Sequence, residues 1–111
     1  LKVVRETVAQ LDGKYSVEII DMQTLSPMDE ETFVKSVQKT GRAVIVQEAP
    51  KTCGVAAEIV ARINEKALLN LEAPVRRVTG WDVTMPLPKL ENYYLPSSHR
   101  IGAAIEQVMN F

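Results

Sequence analysis

At 111 residues the chain is sized for one domain, and 46% hydrophobic with 24% charged residues is a globular balance that excludes a disordered or collagen-like polymer. A formal net charge of −1 gives no electrostatic case for nucleic acid or an anionic membrane, and no apolar run nears the ~18 residues a membrane span needs. The single cysteine, Cys53, and the single histidine, His99, exclude an intramolecular disulfide and a cysteine- and histidine-built metal centre, and they suit a reducing, cytoplasmic setting.

In "LKVVRETVAQLDGKY", Val3, Val4, Thr7, Val8 and Leu11 form a helical stripe that Gly13 closes as a C-cap. The β-branched run "SVEIID", Ser16 to Asp21, predicts a strand. After "TLSP", the acids Asp29, Glu30 and Glu31 crowd the start of a helix. Lys35 and Lys39 lie toward its end, Phe33, Val34 and Val37 give its buried face, and Gly41 ends it. "AVIVQE", Ala43 to Glu48, is nearly all apolar, as in a strand covered on both faces.

A further helix is predicted from about Gly54 to Leu69, with Val55, Ile59, Val60, Ile63 and Ala67 at helical spacing and Glu58 and Arg62 paired one turn apart on the other side. "APVRRVTG", Ala73 to Gly80, reads as a shorter, more polar strand near an edge. Pro86, Pro88 and Pro96 break regular structure in the next segment. Trp81, Leu87, Leu90, Tyr93 and Tyr94 are apolar enough to predict that it packs as an ordered loop. A last helix, capped by Ser97 or Ser98, turns Ile101, Ala104, Ile105, Val108 and Met109 inward. His99 falls on its exposed first turn.

Alternating strands and helices with buried strands predict an α/β domain with a mostly parallel sheet covered on both faces. Sites in such folds lie at the C-terminal ends of strands, so the turns after Asp21, Glu48 and Val78 share one rim. Adjacent residues in "SSHR" cannot face each other, which removes a serine–histidine pair, and one glycine in "GVAAEI" is no phosphate cradle. Cys53 lies before a helix N-terminus, where a thiol is acidified, but reads more simply as a turn residue. Glu48 at the end of a buried strand is either a general base, with Asp82 as its partner, or a turn-fixing acceptor for the amides of the next helix. With no second catalytic group beside it, the structural role is the simpler expectation.

Taken in series, "VEIIDMQTLSPMDEETFVKSVQKTGRAVIVQEAPKTCGVAAEI", "LNLEAPVRRVTGWDVTMP" and "YYLP" resemble the C-terminal domain of the β subunit of thiamine-diphosphate-dependent 2-oxo acid dehydrogenases, within the transketolase C-terminal-domain family. "LNLEAP" and "EAPKT" look closest to the branched-chain type, with the pyruvate and acetoin types as near relatives. The resemblance implies a three-layer α/β/α domain spanning residues 1–111, lying in an α2β2 decarboxylase that carries out oxidative decarboxylation with acyl transfer to lipoyl-lysine. That enzyme would be cytoplasmic, or in the mitochondrial matrix if eukaryotic.

Thiamine diphosphate and Mg2+ are then held by the parent enzyme, none is bound by this chain alone, and this chain supplies no catalytic residue. Implied partners are the α subunit, a second β subunit and the basic subunit-binding domain of the lipoyl acyltransferase. The rim residues Gln47, Glu48, Ala49, Pro50, Gly54, Gly80, Asp82 and Pro86 become a subunit contact, and Glu72 with the terminal carboxylate of Phe111 matches the family's acidic docking patch. Gln47 stands where the family usually has histidine. The family's opening strand of the "VTIV-YG" kind is missing before Leu1, so the chain is expected to be a fragment of a longer subunit whose remaining strands rearrange unless that strand is supplied. The alternative is a stand-alone, non-catalytic binding or regulatory module of the same fold.

Overall fold

The chain folds as two helical layers on either side of a parallel β-pair, and the computed structural model describes all of it, Leu1–Phe111. Helix α1 spans Lys2–Gln10, α2 Glu30–Thr40, α3 Val55–Ala67, α4 Glu91–Tyr94 and α5 Ser98–Met109; strands β1, Val44–Pro50, and β2, Arg76–Gly80, pair in parallel. This is the α/β/α layering expected from the sequence.

Local sequence explains most boundaries. Asp29 caps α2, accepting the Thr32 amide at 3.2 Å and the Thr32 hydroxyl at 2.7 Å. Those two bonds, with the hydroxyl first, hold the Asp29 carboxyl below the usual carboxylate range. Gly41 ends α2 in the left-handed region at φ 70°. Glu58 and Arg62 pair at 2.8 Å on the outer side of α3. Ser97, not Ser98, caps α5, its hydroxyl accepting the Arg100 amide at 3.3 Å.

Alternation along β1 divides the core. Ile45 faces a cluster formed by Phe33, Val34 and Val37 of α2 with Ile59, Ile63 and Ala67 of α3. Val44 and Val46 face the opposite cluster, Val78 of β2 with Ile101, Ala104 and Ile105 of α5, which α1 covers through Val4. A strand with apolar neighbours on both faces explains the unbroken apolar run that the sequence showed.

Three expectations are corrected. Ser16–Asp21 is not a strand: it has no ladder partner, because β1 pairs only with β2 and nothing lies beside the segment to bond its backbone. Tertiary contacts hold it instead, with Ile20 packed on the α2/α3 cluster and Glu18 accepting from the Ser36 hydroxyl at 2.7 Å. On α1, Val3 of the expected stripe is exposed, while Thr7 of the same stripe is buried, its hydroxyl donating to the Val3 carbonyl at 2.8 Å. In the loop after β2, Tyr94 alone of the five apolar residues expected to pack is buried, at 6% exposure. Trp81 is 52% exposed, Tyr93 80% and Leu87 84%, and Leu90 is open as well.

Candidate functional site

The two turns at the C-terminal ends of β1 and β2 meet, as the topology requires. Asp82 joins them: its carboxylate accepts the Thr52 amide at 2.9 Å and the Thr52 hydroxyl at 2.6 Å. These bonds, the hydroxyl's first, hold the Asp82 carboxyl below the usual carboxylate range. It is exposed, ionised and already engaged, the opposite of a carboxylate raised in a closed cleft for acid–base work.

Gln47 does the work that the sequence left to Glu48. Its Oε1 accepts the Ala56 amide at the first turn of α3 at 2.8 Å, and its Nε2 donates to the Pro50 carbonyl at 2.8 Å and, at 3.3 Å, to that of Ala49. One amide group thus closes the turn and caps the helix, two tasks that a carboxylate without a donor could not combine. Glu48, its neighbour on the strand, is exposed and makes no side-chain hydrogen bond or ion pair in the fold. Ala49 and Pro50 are exposed at the end of β1. Gly54 is half-buried beside Gln47, and Pro86 is half-buried in the loop after β2. Cys53 is exposed in the turn at φ 57°, a left-handed conformation uncommon for a side-chain-bearing residue.

Gly80 is demanded by close approach. A Cβ there would lie 2.3 Å from the Glu48 carbonyl oxygen and 2.7 Å from Cζ of Tyr94. Beyond it Trp81 donates from Nε1 to the Tyr93 carbonyl at 3.0 Å, and Arg100 lies over the Trp81 ring, 4.4 Å from its centroid. The loop is therefore built around Trp81, and it carries Val83, Met85, Leu87, Leu90 and Tyr93 outward.

Glu72 is tied to the last helix through a residue the sequence reading passed over. Arg42 forms an ion pair with the Glu72 carboxylate, and its Nε donates to the Val108 carbonyl at 2.9 Å, in the last turn of the helix leading to exposed Phe111. A cation placed directly after the Gly41 cap was the available signal. Thr52 was missed too, although a threonine in the turn before a helix, with an aspartate after the neighbouring strand, is a recognisable bridging pattern.

With this fold and rim, the comparison with known proteins is direct: the chain belongs to the transketolase C-terminal-domain family, whose model matches residues 1–101. Among curated proteins it is similar to the pyruvate dehydrogenase E1 component subunit beta of Acholeplasma laidlawii, 50% identical over 93 residues that cover 84% of this chain and 28% of that protein. The same-named subunits of Staphylococcus aureus (strain Mu50 / ATCC 700699), 47% identical over 100 residues, and Bacillus subtilis (strain 168), 45% over 96, align with 90% and 86% of this chain and with 30% of their own length. The chain thus spans less than a third of these relatives, and the resemblance to the β subunits of 2-oxo acid dehydrogenases holds. These relatives carry the pyruvate name; the branched-chain type that "LNLEAP" and "EAPKT" suggested finds no namesake among them.

Proposed function

We propose that this chain is the C-terminal assembly and docking domain of the β subunit of a thiamine-diphosphate-dependent 2-oxo acid dehydrogenase. The observation that carries the reading is the loop after β2, which exposes Trp81, Val83, Met85, Leu87, Leu90 and Tyr93 beside a rim where Asp82 is bonded to Thr52 and Gln47 to Ala56. An apolar patch of this kind marks an association surface, and the rim contributes rigidity to it. The partners we assign are the α subunit and a second β subunit in an α2β2 enzyme.

No group of three or more His, Cys, Asp or Glu side chains comes together in the fold. Asp82 and Gln47 are committed to the turns, so the rim does not fit the Mg2+ that a bound diphosphate would bring. We assign both to other parts of the assembly. Pyruvate is the favoured substrate, supported by the names of the relatives; a branched-chain 2-oxo acid is the second reading, supported by the two motifs, and turnover on each acid separates them.

Docking of the basic subunit-binding domain of the acyltransferase is assigned to Glu72 and the Phe111 carboxylate, and Arg42 ties Glu72 to the last helix that leads to Phe111. In the assembled enzyme, Leu87→Ser with Tyr93→Ser should weaken α2β2 association in sedimentation experiments while Glu48→Gln leaves assembly and turnover intact. Glu72→Ala should weaken titration by the subunit-binding domain in a salt-dependent way. An unweakened tetramer in the double variant, or loss of turnover by Glu48→Gln within an intact tetramer, would overturn the assembly reading, and binding untouched by Glu72→Ala would overturn the docking one.

A further inference from the structure

The chain has thirteen lysines and arginines, and seven of them form ion pairs with glutamates. Of the six without a carboxylate partner, four converge. Lys51, Arg76, Arg77 and Arg100 line one cavity of about 440 Å3 between β2 and α5, together with His99 and Gln107, and none of its ten lining residues is acidic. In a chain of net charge −1 this is a local concentration of positive charge, with the Asp82 carboxylate acting on Lys51 from the neighbouring turn.

Two of the guanidinium groups are fixed in place without being neutralised. Arg77 donates from Nη1 to the Lys51 carbonyl at 3.2 Å; Arg100 donates from Nη2 to the Thr79 carbonyl at 2.7 Å and lies on the Trp81 ring. Neutral carbonyls and an aromatic face set their orientation and leave the charge free for a ligand. Nη1 of Arg100 is buried with no acceptor, an unsatisfied donor on a residue that lines the cavity. The lining runs along one side of α5, from His99 and Arg100 through Ala103 and Ala104 to Gln107.

We infer that this cavity binds a small oxyanion of two or more charges, a phosphate or a polycarboxylate. The cavity is open to solvent on one side, and forked guanidinium groups match the planar or tetrahedral oxygens of such ligands. The inference stands apart from docking at Glu72 and requires no particular substrate for the parent enzyme.

The test is calorimetric titration of the assembled parent enzyme, saturated with its cofactor, by inorganic phosphate and separately by citrate, at ionic strength held constant with chloride. Saturable binding at one site per copy of this domain is expected. Arg77→Gln should weaken it about tenfold, and so should the combined Lys51→Gln and Arg76→Gln, both of which change exposed side chains that the fold does not need. Lys89→Gln, which removes an unpaired cation outside the cavity, should leave it unchanged. Binding of phosphate alone or of citrate alone identifies the class of ligand. No saturable binding of either, or binding that the cavity variants leave untouched, overturns the site.

Discussion

The amide of Gln47 occupies the space that a side chain at position 54 would need. A Cβ on Gly54 would lie 2.1 Å from Nε2 of Gln47 and 2.6 Å from the Pro50 carbonyl oxygen. The backbone of Gly54 is ordinary extended chain at φ −79°, so the requirement for glycine is one of space, not of conformation. Gly54→Ala should therefore expel the Gln47 amide from the turn and destabilise the protein by about 1–3 kcal/mol, read as a lowered midpoint in denaturant. An unchanged midpoint would show that Gln47 has another place to go.

Gln47→Leu tests the same clamp from its other half. Leucine keeps much of the volume but leaves the Ala56 amide and the Pro50 carbonyl without partners. The cost of a stranded, partly buried polar group is about 1–3 kcal/mol. Hydrogen exchange of the Ala56 amide should accelerate more than that of Ile63 in the core of α3, a local effect that uniform destabilisation would not give.

Asp82 supplies a pH dependence with a defined sign. Its folded-state pKa is lowered by the Thr52 hydroxyl and amide, so its contribution is complete above the ordinary aspartate value of about 3.9 and is lost as pH falls through the lower folded value. Thr52→Val removes the hydroxyl, and the Asp82 carboxyl resonance should then titrate at higher pH than in the wild type. Superimposable titration curves would mean that the bridge between the two turns is not made in solution.

Gly80→Ala should be the most damaging of the small substitutions on the rim. The added Cβ meets a backbone carbonyl of β1 as well as the Tyr94 ring, and neither can give without separating the strands or unseating the residue that buries the loop. A loss of at least about 2 kcal/mol is expected, with amide protection in β2 falling first. Retained protection in β2 would contradict it.

The elements that were legible in the sequence are those whose determinants lie within a turn or two of themselves. Asp29 and Gly41 bracket α2 by local capping, and the apolar run from Ala43 to Val46 announces a doubly covered strand. Ser16–Asp21 was not legible because β-branched residues favour a strand only where a neighbour completes the ladder, and that depends on chain outside the segment. Trp81, Leu87 and Tyr93 were assigned to the interior because hydrophobicity measures the wish for burial and not the identity of what does the burying. On the rim, residue type pointed to Glu48 while the geometry chose Gln47. Side chains adjacent on a strand point opposite ways, and only the packed structure tells which one faces the start of α3.

The division of the core by β1 bears on how the molecule opens. The α2/α3 and α1/α5 clusters have no buried residue in common and are joined through alternate side chains of one strand and its neighbour. Cooperativity between the halves therefore passes through a hydrogen-bonded seam two strands wide and the Arg42 bond to the Val108 carbonyl. Such an arrangement favours separate local unfolding units over one all-or-none transition, and it places Leu71 and Val75, on the path from α3 to β2, in the leaf that keeps its core when α1 and α5 come away.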